Sequence, residues 1–163
     1  MRVRPCEVED HSAIVGIYNH YIANTHFTFD VSDYTVASRQ PWFAGFDGSR
    51  YLCLVIEDPN RQIAGYACSS RFKEKSAYET SVEVSIYLHP HNTSRGLGKL
   101  LYEPLFEHLE QHDVHRAYAG IALPNEPSIR FHQKMGFVRK AHFAEVGRKF
   151  DRFWDVVWLE KNL

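Results

Sequence analysis

Residues Ser81–Leu101, SVEVSIYLHPHNTSRGLGKLL, decide the fold. Val82, Val84, Ile86 and Leu88 alternate with Glu83, Ser85 and Tyr87, the period of a strand with two different faces. A short loop follows, then Gly96-Leu97-Gly98. Leu97, Leu100, Leu101, Leu105 and Leu109 then recur at helical spacing. A strand that runs into a glycine turn at a helix N-terminus is an anion site by construction. Glycines let the backbone come close, and the unpaired N–H groups and the helix dipole favour a phosphate.

Outward from this unit, the pattern predicts a strand at Arg2–Pro5 and a helix carrying Ile14, Ile17, Tyr18, Tyr21 and Ile22. A short helix is expected at Val36–Ala44. Strands are expected at Tyr51–Glu57 and Ile63–Ser70, joined by a turn at Asp58-Pro59-Asn60. After the central helix, which Pro104 should kink, come a strand at Ala117–Leu123 and a helix at Pro127–Met135 ended by Gly136. Two strands near Val138–Val146 and Phe153–Leu159 close the chain. Adjacent strands suggest antiparallel pairing, and the strand–helix–strand unit after Ser81 suggests one parallel pair with a right-handed crossover. The fold class is α/β: a mixed, mostly antiparallel sheet flanked by helices, one domain over residues 1–163.

The 163 residues suit a single core. With a net charge of −1 and no basic stripe, the chain gives no reason to expect nucleic acid as a partner. The start MRVRPCEVED lacks an apolar signal core, and no apolar run is long enough to span a bilayer, so no membrane partner is expected. Cys6, Cys53 and Cys68 are odd in number and scattered, which reads as reduced thiols in a cytoplasmic protein. His108 and His112 stand four apart on one helix, but the metalloprotease pattern around them is missing, and no metal is expected.

Four further segments carry a resemblance: IYNHYIANTHFTF (Ile17–Phe29), AYETSVEVSIYLHP (Ala77–Pro90), ALPNEPSIRFHQKMGF (Ala122–Phe137) and VGRKFDRFWDV (Val146–Val156). With the Gly96-x-Gly98 turn, they resemble the GNAT superfamily of acyl-CoA-dependent N-acetyltransferases, most closely the phosphinothricin and methionine sulfone (or sulfoximine) acetyltransferases. The resemblance implies acetyl-CoA as co-substrate, with its diphosphate held by Thr93, Ser94, Arg95, Gly96, Leu97, Gly98 and Lys99. Thr93 stands where the family usually has Arg or Gln. The resemblance further implies a strand pair that splays open, so that the pantetheine arm pairs with the backbone of Ile86, Tyr87 and Leu88, and an amide contact from Asn125 beside Ser128. Asn125 and Ser128 read equally as a helix cap.

For the chemistry, the resemblance implies Glu83 as the general base that neutralises the substrate ammonium. It also implies His132, where most of the superfamily has Tyr, as a group that takes a proton from the amine or gives one to the sulfur. Phe29 and Tyr78 match aromatic positions near the family's substrate pocket. Lys73 and Lys75 match a basic pair facing the substrate's acidic group, although the second lysine lacks arginine's planar fork. The implied acceptor is the α-amino group of a small amino acid analogue, reached by direct transfer, in a homodimer. Another amine as acceptor, or a non-catalytic acyl-CoA sensor, remain the alternatives.

Overall fold

The computed structural model describes residues 1–93 and 95–163; Ser94 of the phosphate turn lies outside the described residues. The strands are β1 (Arg2–Pro5), β2 (Cys53–Glu57), β3 (Ile63–Arg71), β4 (Ser81–Leu88), β5 (Arg116–Ala122), β6 (Val138–Lys149) and β7 (Arg152–Asn162). The helices are α1 (His11–Asn24), α2 (Val36–Phe43), α3 (Leu97–Glu110) and α4 (Glu126–Lys134). Their order is the one the sequence predicts. One helical segment runs through Pro104, so the proline does not end α3.

The strands form one sheet in the order β1-β2-β3-β4-β5-β7-β6. Every neighbouring pair is antiparallel except β4 and β5, which α3 connects as a parallel crossover. Alternation gives each strand two apolar faces to bury. On one face Val82, Val84 and Ala117 meet Leu101, Leu105 and Leu109 of α3. On the other, Val55, Tyr66 and Cys68 meet Ile14, Ile17 and Phe43 from α1 and α2.

The β4–β5 ladder is short. Its register ends at Glu83 opposite Tyr118. Beyond that point β4 stays paired with β3 as far as Leu88, and β5 with β7 as far as Ala122. The two strands therefore part in the middle of the sheet, leaving the splayed central pair that the resemblance implies.

The sheet's last hairpin differs from expectation. β6 and β7 run well past their predicted limits and turn at Phe150-Asp151, whose φ values are 53° and 56°. Two left-handed residues in a row make the tight hairpin turn that matches strand twist, here without the usual Asn-Gly or Gly-Gly.

At the far edge, Arg4 joins β1 to β2 and to the start of α1. Its guanidinium reaches Asp10 at 2.6 and 2.9 Å and Glu57 at 3.1 Å. Asp10 is 5% exposed. Burial raises its carboxyl, the hydrogen bonds and charge of Arg4 lower it, and the lowering wins. A folded carboxyl below its unfolded value adds stability above the ordinary carboxylate range and loses it as pH falls. Arg4→Met should strand Asp10, leave Glu57 only its 3.5 Å contact with Arg2, and cost about 3 kcal/mol, read as a lower urea midpoint at pH 7, with a smaller loss near pH 3.

Candidate active site

Gly96 sits at φ 75°, ψ 3°, a left-handed conformation that glycine adopts without a Cβ clash, and it delivers the chain into α3. The N-cap of α3 is this glycine, which has no side chain to take the leading N–H groups of the helix. This first turn borders a cavity of about 370 Å³. Thr93, Gly96, Leu97, Gly98 and Lys99 form one end of it. Lys99 also pairs with Glu103 at 3.4 Å. Arg95 is exposed and turns to Asn92 at 3.5 Å rather than to the cavity. At the other end stand Asn125 and Ser128, at the N-terminus of α4. The side-chain oxygen of Asn125 accepts the Ser128 N–H at 3.3 Å, so Asn125 caps the helix and keeps its amide NH₂ available.

Between these ends lie Ile86, Tyr87 and Leu88 of β4. The backbone orientation follows from two bonds outside the strand. Thr80 O accepts from His115 N at 2.7 Å on the β5 side, and His89 N donates to Ala64 O at 2.8 Å on the β3 side. Backbone groups alternate along a strand, so those of Val84, Ile86 and Leu88 turn toward the gap left by β5. The Tyr21 hydroxyl donates to Leu88 O at 2.7 Å. The rest of this edge is offered to whatever enters the cavity.

A second cavity, of about 480 Å³, opens on the opposite side of the split and holds Glu83. The two share Phe27, Ser85, Tyr87 and Gly120, so the gap between the strands is a passage from one to the other. Phe29, Tyr18, Phe143 and Trp158 wall the second cavity with rings. Glu83 is half-buried there. Burial lifts its carboxyl above the usual range, and the Lys73 ammonium acts against the lift. A carboxylate so placed is a stronger base than one in water.

His132 lines the first cavity and is 4% exposed. Its Nδ1 lies 2.8 Å from Ser128 O, an acceptor only, so Nδ1 carries the proton and donates. Nε2 then accepts from the Tyr102 hydroxyl at 3.0 Å. Burial pushes the imidazole below its ordinary pKa, and the bond to the Ser128 carbonyl works the other way. The ring is therefore neutral at pH 7, with both nitrogens engaged.

The predicted residues thus fall into two groups. Glu83 and Phe29 stand in the second cavity; His132, Asn125, Ser128, Ile86, Tyr87, Leu88, Thr93, Gly96, Leu97, Gly98 and Lys99 stand in the first, while Arg95 turns away from it and Ser94 lies outside the described residues. Lys73 is exposed but close enough to act on Glu83. Lys75 and Tyr78 line neither cavity; Tyr78 is 44% exposed and leans toward Phe72 at 6.1 Å. Sequence reasoning missed Tyr18, Tyr21, Phe27, Tyr102, Phe143 and Trp158. Tyr18, Tyr21 and Phe27 lie within a quoted segment, but Tyr18 and Tyr21 read as the core stripe of a helix and Phe27, beyond that helix, gave no signal of its own. The other three gave no local signal. His108 and His112 stack at 3.9 Å and are tied to backbone carbonyls of Ser49 and His108.

Comparison with known proteins fits this geometry. The model of the acetyltransferase (GNAT) domain matches residues 3–158. A phosphinothricin N-acetyltransferase of Streptomyces coelicolor is 45% identical over 165 residues, covering 100% of this chain and 96% of that protein. An L-methionine sulfoximine/L-methionine sulfone acetyltransferase of Pseudomonas paraeruginosa is 30% identical, covering 99% of this chain and 94% of that protein. The crystal structure of a GNAT superfamily phosphinothricin acetyltransferase from Sinorhizobium meliloti in complex with AcCoA superposes with a TM-score of 0.95 at 27% identity, covering 99% of this chain and 88% of that one. An open strand pair, a glycine-led helix start beside it and a family model spanning nearly every residue agree: the chain belongs to the GNAT acetyltransferase family.

Proposed function

We propose that the protein transfers the acetyl group of acetyl-CoA to the α-amino group of a small amino acid analogue, such as methionine sulfone, methionine sulfoximine or phosphinothricin. The observation that carries the reading is the passage between the two cavities at the β4–β5 split, with Glu83 on the acceptor side. The residues fit the co-substrate. Thr93 and Gly96–Lys99 hold the diphosphate through the N–H groups of the α3 N-terminus, and Arg95 adds charge nearby. The turned-out backbone of Ile86 and Leu88, with Tyr87 between them, pairs with the pantetheine arm as an added strand, and the Asn125 amide bonds to it beside Ser128. Bound there, acetyl-CoA supplies the acyl group as a thioester that a neutral amine attacks directly.

Glu83 takes the ammonium proton, directly or through water, because only the neutral amine is a nucleophile. A β4 N–H in the gap stabilises the charge that develops on the acyl oxygen, an interaction worth about 3 kcal/mol in comparable sites. For His132 to move a proton, Nε2 must exchange the Tyr102 hydroxyl for the departing sulfur or the amine. Phe29 packs against the acceptor, and Lys73, exposed but near enough to act on Glu83, attracts its acidic group. Cys6, Cys53 and Cys68 line neither cavity, and burial pushes the Cys68 thiol up to about 12, which supports direct transfer over an acyl-cysteine step. The reading extends to a cytoplasmic homodimer, checked by light scattering in solution.

One observation favours a second reading. The acceptor cavity is walled by aromatic rings and Lys75 stands away from it, which suits another small amine with an apolar body. Thiol release measured over methionine sulfone, phosphinothricin and uncharged-body amines separates the two. Saturable turnover of none of them would sink both readings.

Glu83→Gln should lower kcat by about 10²–10⁴-fold with little change in acetyl-CoA affinity. In the wild type, kcat/KM should fall as pH drops through a carboxylate value raised by burial. Lys73→Met removes the cation that holds this carboxyl down, so the acid limb should move to higher pH; an unmoved limb assigns it to another group. Gly96→Val forces a β-branched residue into a left-handed turn and should weaken acetyl-CoA binding by calorimetry about tenfold or more, a loss near 1.4 kcal/mol.

A further inference from the structure

Lys149 has no part in the chemistry above, yet it is built into the acceptor wall from behind. It ends β6, is 4% exposed, and its Nζ donates to Thr28 O at 2.8 Å. Burying an ammonium is costly unless it is paired and hydrogen-bonded. Thr28 sits between Phe27 and Phe29, and all three line the cavity that holds Glu83.

Each neighbouring bond serves the same segment. The Tyr18 hydroxyl donates to Asp30 Oδ2 at 2.6 Å, so its contact of 2.7 Å with Thr28 Oγ1 has the threonine as donor. Asp30 also faces Arg39 at 3.7 Å, whose guanidinium stacks on Tyr18 at 4.3 Å. The Phe29 ring lies on Gly147, where any Cβ would overlap it. The carbonyl of Lys149 accepts from Trp154 Nε1 at 2.9 Å. Trp154 stacks on His26 at 4.0 Å, and the His26 Nε2–H donates to Pro124 O at 3.0 Å, one residue before Asn125 of the cofactor cavity.

We propose that Lys149 is a positioning residue that clamps the Phe27–Phe29 wall to the β6–β7 hairpin, and that this clamp sets acceptor affinity without touching the acceptor. The inference rests on reading the Glu83 cavity as the acceptor pocket. The wall lies between two anchors, the lysine at Thr28 O and the glycine surface under Phe29. Losing either lets the rings drift, and drifts of about 1 Å in a positioning group cost up to about 10²-fold.

Lys149→Met keeps the chain length and removes the charge and the donor. Three readouts apply to it: amide hydrogen exchange over residues 27–30, acetyl-CoA affinity by calorimetry, and steady-state kinetics with L-methionine sulfone as the acceptor probe. Exchange should quicken about tenfold and acceptor KM rise about tenfold, while kcat and acetyl-CoA affinity stay within about twofold. Should that variant fail to fold, Gly147→Ala keeps the lysine, displaces Phe29 and should raise acceptor KM similarly. Unchanged exchange in Lys149→Met, an acceptor KM within about twofold of wild type in both variants, or a parallel fall in kcat, KM and cofactor affinity would overturn the clamp. A wild-type protein that does not acetylate methionine sulfone counts against the acceptor reading; the exchange measurement still tests the clamp, and the KM comparison then runs with whichever amine of the thiol-release series the protein turns over.

Discussion

The early end of the β4–β5 ladder is the constraint from which the site follows. A parallel pair in the centre of a sheet normally continues, because every unpaired backbone group it leaves costs as much as a lost hydrogen bond. Here pairing stops at Glu83 and Tyr118, yet both strands run on with their outer neighbours. The edge so opened is polar and extended and sits inside the molecule, where an extended amide-bearing chain is its natural complement. Two helix N-termini, those of α3 and α4, reach the same cavity, so the gap also lies in a field that favours negative charge.

The split places chemistry as well as binding. Alternation along β4 turns Val82 and Val84 into the α3 core and leaves Glu83 on the other face, just where the strands part. Glu83 and His132 therefore sit on opposite sides of one passage, in different surroundings. Burial drives both toward neutrality, lifting the acid and lowering the imidazole. Lys73 works against the lift on the acid, whereas His132 is fixed by hydrogen bonds in a single tautomer. The carboxylate can accept a proton at once; the imidazole must first give up a partner.

Much of this was legible in the sequence because its causes are local. The period-two pattern of Ser81–Leu88 names the faces of β4, and the Gly96-Leu97-Gly98 turn announces a close backbone approach at a helix start. The β6–β7 turn was not legible, since Phe150 and Asp151 adopt left-handed conformations without glycine and the long hairpin around them enforces the turn. Lys75 and Tyr78 follow a matching motif yet lie off both cavity walls, because a motif fixes chain position and not the direction of an exposed side chain.

The sequence by itself determined the order of strands and helices, the glycine turn at the start of α3 and the face on which Glu83 lies, since periodicity and backbone preference act over a few residues. Only the tertiary structure decided that Tyr102 meets His132 across 30 residues and that Lys149 meets Thr28 across 121. Such pairs depend on how whole elements rotate and pack against one another. Short-range patterning carries no record of that rotation, so the protonation of the imidazole and the shape of the aromatic pocket belong to the folded molecule alone.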